Sequence, residues 1–297
     1  MEHVDQSTPA YAGHETQPIT LILEGGGLRC QFTAGVLDFF MEQGLVCKDV
    51  VGVSAGALSG ANYVAGLYGR TCLMNMKYCK DDRYLSLKSF VKTGNVCGRE
   101  FAFHEVMDVL MPFDKTWFSN SPMSLTTVCT NLVSGEADYH RMADLTHDLP
   151  YLIATSSLPF LSQPVDVDGK LLLDGGTADS IPFLYGKTLG NQKMIVVLTQ
   201  HAEYLKKPNK MVPLARRLYS DHAYFVDRIE YRHFEYNRQH RAVMDKHAAG
   251  ELFMLIPEKP VEISLLNAEP EDLLDLYAEG YRVAAEQWPA LQAYLAK

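Results

Sequence analysis

The chain has little of what would place it in several large classes of protein. No apolar run among its 297 residues approaches the roughly 20 that a bilayer-spanning helix needs. Residues 1–20 hold no apolar core of the kind a secretory leader carries. Six cysteines stand at 30, 47, 72, 79, 97 and 129, yet no two form Cys-x-x-Cys and none groups with histidine at zinc-ligand spacing. No metal site is therefore expected, and the thiols read as reduced, in an intracellular, cytoplasmic protein. Positive charge is in deficit. Lys and Arg number 27 against 36 Asp and Glu, a net charge of −9, which argues against nucleic acid as a partner. Charged residues at 21%, with only 21 Gly and 14 Pro, exclude a disordered chain. The 47% hydrophobic composition suffices for one large α/β domain or two small ones.

The positive charge that is present is unevenly placed. Residues 205–247 hold ten Lys/Arg against five Asp/Glu, so this stretch carries +5 and the remainder −14. Such a segment reads either as a solvated helix face or as a surface that meets anionic lipid at a membrane periphery.

Element order is legible from periodicity. Residues 1–18, with Pro9, Gly13 and Pro18, read as a flexible tail. Ile19 to Glu24 reads as a buried strand, Gln31 to Gln43 as a helix stopped by Gly44, Val50 to Val53 as a strand and Ala55 to Leu67 as a helix. Strand–helix–strand–helix in about fifty residues predicts a parallel sheet with helices on its faces. Residues 70–120 are irregular and rich in aromatics, and are expected over one end of the sheet. Leu125 to Val133 pairs in a hairpin with Ala137 to Arg141, and Asp168-Gly169 joins strands 165–167 and 170–173. Met194 to Thr199 and Leu252 to Ile256 are further strands, and 212–247 and 271–295 are helices.

Within this order lies Gly52-Val53-Ser54-Ala55-Gly56, at a strand-to-helix turn. Small flanking residues let such a turn push a serine hydroxyl clear of the backbone, and the N–H of Ala55, opening a helix, points at developing negative charge. A serine nucleophile also needs an oxyanion site and a base. Gly25-Gly26-Gly27, between a strand and a helix and followed by Leu28 and Arg29, offers consecutive free N–H groups. The same glycines resemble the start of a dinucleotide loop, but position 30 is Cys where the third glycine would stand. Two bases are open. His201 fits the order Ser…Asp…His of α/β-hydrolases, and Asp174 ends the apolar run Leu171-Leu172-Leu173 ahead of Gly175-Gly176.

Taken together, Gly25-Gly26-Gly27-x-Arg29, the Ser54 pentapeptide and Asp174-Gly175-Gly176 resemble the patatin-like phospholipase family. Thr33-Ala34-Gly35-Val36-Leu37 and Ala154-Thr155-Ser156-Ser157-Leu158-Pro159-Phe160 extend the resemblance across roughly 19–190. The resemblance implies a Ser–Asp dyad, Ser54 with Asp174, and an oxyanion block of Gly25, Gly26, Gly27 and Arg29, helped by Ala55. It implies hydrolysis of acyl esters in phospholipids or other lipids, without cofactor or metal. Cys30 departs from the family's usual glycine and puts the aim of the neighbouring N–H groups at issue. The expected fold is a three-layer α/β/α sandwich with a mostly parallel central sheet. Residues 19–297 would form one domain, with a motif-bearing core at 19–190 and a helical part at 191–297. Leu158, Pro159 and Phe160, with the aromatic 70–120 segment, are expected to line an acyl pocket. The rival readings are a Ser–His–Asp esterase using His201, and a non-catalytic member that binds lipid or nucleotide.

Overall fold

A computed structural model of the protein describes residues 7–264 and 268–297. Strand β1 (Thr16–Leu23) passes through a 3-10 turn, Gly27–Cys30, into α1 (Gln31–Glu42), and β2 (Val46–Val53) leads into α2 (Ala55–Val64). Then come α3 (Arg70–Tyr78), α4 (Leu87–Thr93), a π-helical stretch at Phe101–Leu110, and α5 (Lys115–Ser119). Strands β3 (Ser124–Asn131) and β4 (Ala137–Met142) form a hairpin, α6 (Leu145–Thr155) follows, and β5 (Val165–Val167) pairs with β6 (Lys170–Asp174). The chain finishes with α7 (Phe183–Thr188), β7 (Lys193–Val197), α8 (Val212–Leu218), α9 (Ala223–Ala248), β8 (Phe253–Leu255) and α10 (Pro270–Leu295).

The eight strands form one sheet, in the order β5-β6-β3-β2-β1-β7-β8, with β4 added to β3. Strands β3, β2, β1, β7 and β8 are parallel, β4 and β6 pair antiparallel with β3, and β5 pairs antiparallel with β6. Successive side chains of a strand point to opposite faces, so the buried runs fill two cores. Leu21, Leu23, Ile195 and Val197 pack with residues of α1, α2 and α10. Ile22, Met194, Val196 and Leu198 pack with residues of α7 and α9. The result is the expected three-layer sandwich around a mostly parallel sheet.

Two local expectations need correction, and one helix was not expected. Within the 1–18 tail, residues 1–6 lie outside the described residues, but the rest is tied down. Thr16 and Gln17 already pair with Val46 and Cys47, the Ala10 N–H donates to Gly66 O at 3.0 Å, and the Tyr11 hydroxyl donates to Trp117 O at 2.7 Å. The helix expected over 212–247 breaks between α8 and α9. Tyr219 leaves helical geometry there, its ring against Phe160 (5.9 Å) and Phe225 (5.0 Å) and its hydroxyl accepting from the Phe160 N–H at 3.0 Å. Tertiary anchoring at that point, with the poor helix formers Ser220 and Asp221 behind it, overrides local periodicity. Helix α6 had no counterpart in the sequence pattern, since Pro150 interrupts it. Its start is fixed instead by the Asp144 carboxylate, which accepts from the Thr146 N–H at 2.8 Å.

Candidate active site

Ser54 stands between β2 and α2 with φ 55° and ψ −130°. A β-carbon at positive φ is strained, at a cost of roughly 1–3 kcal/mol, and such strain persists only where surroundings enforce it. Here they do. The Ser54 N–H donates to Thr155 Oγ1 at 2.9 Å, and that hydroxyl donates to Val128 O at 2.6 Å, so α6 and β3 grip the turn. A side chain at Gly56 would sit 2.6 Å from the carbonyl oxygens of both Leu23 and Glu24, and one at Gly52 would strike Ala57. Gly56 is therefore needed for the crossing to come so close to the end of β1, and Gly52 for α2 to start so close to β2.

Register brings Asp174 to this serine from 120 positions away. On one edge of β3, β2 pairs up to Val53↔Val128, and β6 takes over at the next residue with Asp174↔Cys129. Strand β4 occupies the other edge along the same stretch. Strand β6 thus runs head-on toward the end of β2, and its last residue meets the residue after Val53. Asp174 is buried at 2% exposure, and its Oδ1 accepts from the Gly176 N–H at 2.8 Å. Oδ2 has no full hydrogen bond within the protein. Burial raises the carboxyl above its ordinary range, opposed by the nearby Ser54 hydroxyl, the Arg232 guanidinium and the Gly176 N–H. Gly175 and Gly176 make the 3-10 turn that ends the strand, and Gly176 faces the cavity.

The glycine loop lies against the same point. No hydrogen bond within the described protein uses the N–H groups of Gly25, Gly26, Gly27 or Ala55. They are donors without acceptors beside Ser54. Buried Glu24 anchors the loop, accepting from the Thr199 N–H at 2.7 Å and the Tyr236 hydroxyl at 2.8 Å, while Thr199 Oγ1 donates to Gly25 O at 2.9 Å. Burial raises the Glu24 carboxyl despite these donors and the nearby cations. Cys30 fits in glycine's place at φ −66°, its Sγ 3.5 Å from Glu24 O, so the thiol turns back onto the loop. Burial pushes that thiol up to about 12, which excludes it as a nucleophile near neutrality.

A cavity of about 270 Å³ opens onto these groups. It runs along α2, from Ser54 and Ala55 past Leu58 to Asn62, and is walled by Met74, Phe103, Met107 and Phe113 from the aromatic segment. Of the three pocket residues expected from sequence, Leu158 lines it. Pro159 and Phe160 do not, because Phe160, at φ 68°, turns its ring onto Tyr219. No histidine lines the cavity among the described residues, and His201 packs beside Tyr204 instead. No cluster of three metal-ligating side chains is found among the described residues either. All six cysteines are unpaired.

Sequence reading missed the far side of the site. Arg232 and Tyr236 lie four apart on α9, hence on one face, and both reach the cavity. Asn237 holds Lys206 there, accepting from its N–H at 2.8 Å and donating to its carbonyl at 3.0 Å. The Lys206 ammonium sits 4.5 Å over the Tyr236 ring. Burial, with repulsion from Arg232 and Arg29, lowers it to about 7, against the pull of Glu24 and Asp174. Nε of Arg29 and of Arg232 are buried without a hydrogen-bond partner. The excess of cations in 205–247 was the one signal available, and it did not single out Lys206 and Arg232.

A buried, strained serine facing a carboxylate and a row of free N–H groups is the layout of an acyl-transferring hydrolase. Comparison with known proteins agrees. A family model described as patatin-like phospholipase matches residues 21–186, and a second, described as a domain of unknown function (DUF6363), matches 222–296. The chain belongs to the patatin-like phospholipase family, and so to the lipid acyl hydrolases. It is 24% identical over 277 residues to the uncharacterized protein YjjU of Escherichia coli, covering 88% of this chain and 74% of YjjU. It is 26% identical over 186 residues to the lysophospholipase NTE1 of Saccharomyces cerevisiae, covering 61% of this chain but only 11% of that protein. VipD from Legionella pneumophila aligns over 93% of this chain and 67% of its own, at a TM-score of 0.48 and 13% identity. Arg232 and Tyr236 fall within the second matched region, so both matched regions contribute to one cavity.

Proposed function

We propose that the protein cleaves acyl esters of phospholipids or related lipids with a Ser54–Asp174 dyad, and that residues 19–297 work as one domain. The observation that carries this reading is the hand-over on β3 from Val53 to Asp174, which sets a carboxylate against the Ser54 turn in a cavity without histidine. Asp174 takes the Ser54 proton as Oγ attacks the ester carbonyl. The N–H groups of Gly26, Gly27 and Ala55 stabilise the oxyanion, with Gly25 and Arg29 completing the block. Collapse breaks the bond to the leaving alcohol, which receives the proton from Asp174. Asp174 next deprotonates water, the hydroxide attacks the acyl-Ser54 ester, and the fatty acid leaves as Ser54 regains its proton.

A fluorophosphonate probe tests the nucleophile. Mass spectrometry of digested, labelled protein should place one adduct on Ser54, and His201→Ala should label at the wild-type rate within about twofold, since imidazole has no part in the dyad. A folded protein with no Ser54 adduct, or a His201→Ala variant that no longer labels, would falsify the reading.

The substrate side of the reading includes a membrane. No helix among the described residues is long and apolar enough to cross one. Residues 205–234, however, expose Leu205, Leu218, Tyr231 and Phe234, each more than half accessible, beside Lys207, Lys210 and Arg217. Exposed apolar side chains interspersed with cations that have no ion pair among the described residues suit peripheral contact with an anionic bilayer. Vesicles rich in anionic lipid should sediment the protein at low ionic strength and release it at high. Equal recovery in the supernatant with and without vesicles at low salt would end this part.

A further inference from the structure

Four of the ten cations in 205–247 are ion-paired: Arg216 with Glu230 (2.6 Å), Arg228 with Glu136 (2.5 Å), Arg238 with Glu235 (2.7 Å) and Lys246 with Glu251 (2.6 Å). The other six have no ion pair among the described residues, and four of them, Lys206, Lys207, Lys210 and Arg232, gather in one place. They line a second cavity, of about 470 Å³, to which no carboxylate contributes. Lys206 and Arg232 also line the cavity of Ser54, so the two spaces share a wall. The Arg232 guanidinium lies beside the end of β6, where a β-carbon on Gly176 would be 2.9 Å from its Nη2 and 3.0 Å from Asp174 Oδ1. Its Nε is buried without a partner.

Next to the proposed general base the cations thus outnumber the carboxylates. Near the dyad Arg29, Lys206 and Arg232 face only Glu24 and Asp174, and the second cavity adds Lys207 and Lys210. Half-buried Lys206 and Arg232 have lost part of their hydration, which a bound anion would restore, while Lys207 and Lys210 stay exposed at the rim. Lys206 is lowered first by its burial and then by repulsion from Arg232 and Arg29. The apolar cavity along α2 suits the acyl chain. The alcohol that leaves Ser54 must then be accommodated elsewhere, and the basic cavity lies next to that of Ser54, across the wall that Lys206 and Arg232 share.

We propose that Lys206, Lys207, Lys210 and Arg232 form a subsite for anionic groups on the leaving alcohol, so that the protein prefers lysophospholipids with a net-negative head group over zwitterionic ones. This rests on the acyl-hydrolase reading above. The phosphate of the head group would lie against Arg232 and Lys206, and any further negative charge against Lys207 and Lys210. A zwitterionic head would bring its own cation into the same field and lose most of the gain.

The test uses the full chain and three esters of one acyl length: lysophosphatidic acid, lysophosphatidylcholine and a p-nitrophenyl ester, all presented as monomers so that bilayer docking does not enter. Wild type should favour the phosphomonoester over the choline ester at least tenfold in kcat/KM, and added salt should shrink the ratio. In Lys207→Gln/Lys210→Gln, whose changes lie on an exposed loop, that ratio should fall below about threefold. Inorganic phosphate is the second probe, and it should compete with the phosphomonoester more strongly than with the p-nitrophenyl ester. Equal turnover of the two lysolipids by wild type, or a ratio unmoved in the double variant, overturns the subsite while p-nitrophenyl ester turnover keeps the hydrolase standing. Inhibition by phosphate without lysolipid discrimination assigns the cavity to free phosphate and likewise overturns the head-group reading. Absence of turnover on all three esters overturns the hydrolase reading beneath it.

Discussion

Ser54→Ala should lower kcat/KM on any acyl ester by ~10³-fold or more, and Asp174→Asn by about 10²–10⁴-fold, with both variants folded. The grip on the turn uses the backbone N–H of residue 54, donating to Thr155, so alanine keeps it. Asparagine at 174 keeps an oxygen to accept from the Gly176 N–H, but cannot take a proton from the serine. Serine and base act as a unit, so the double variant should lose no more than Ser54→Ala alone. Two losses that multiplied would mean that Asp174 acts through something other than Ser54, and near-wild-type turnover by Asp174→Asn would remove it as the base. A pH profile separates the roles further. Only the ionised carboxylate accepts the proton, and burial raises its pKa, so activity should fall as pH drops through a value above the usual carboxylate range. Arg232 favours the ionised form, hence Arg232→Met should move that acid limb to higher pH. An unmoved limb would mean that some other group controls it.

Much of this site was legible because its parts are local. A strand, a tight glycine turn and a helix follow one another at both Gly25–Gly27 and Ser54, and periodicity with turn chemistry reports such units directly. Asp174 was legible as one of two candidate bases, and only the resemblance chose it over His201. Its pairing to Cys129, one step beyond Val53↔Val128, is a fact of register between strands about 45 residues apart, and no local pattern encodes it. Lys206 and Arg232 were not legible at all. Arg232 reads as one more charge on a long helix, and its place beside Asp174 depends on where α9 crosses the sheet. Phe160 failed for a related reason. It neighbours a lining residue in sequence, but a positive φ turns it away toward Tyr219, and Pro159 with it stands outside the cavity. The break at Tyr219–His222 follows from the same contact.

The proposed oxyanion loop, Gly25–Gly27, should be the most sensitive part of the fold to the addition of a single carbon. A β-carbon at position 25 would lie 2.9 Å from the Ser54 β-carbon and 2.9 Å from Val53 O, closer than real β-carbons approach, and one of the two contacts is rigid backbone. Either the loop retreats, carrying the N–H groups of Gly26 and Gly27 with it, or the nucleophile does. Loss of one such donor costs about 10²–10³ in kcat, or roughly 3 kcal/mol. Overpacking itself costs about 1–3 kcal/mol of stability, which a domain of this size tolerates. Gly25→Ala should therefore fold, melt somewhat earlier, and lose at least ~10² in kcat and in fluorophosphonate labelling rate. Gly250→Ala is the control. It introduces a side chain at φ +72° into open space, so it destabilises through backbone strain without touching the site, and should keep wild-type turnover. If both variants melt alike and only Gly25→Ala loses activity, the loss belongs to the aim of the loop and not to a weakened fold. A Gly25→Ala protein with wild-type kcat would show that the three glycines hold no developing charge, and that the carbonyl oxygen is stabilised from another quarter.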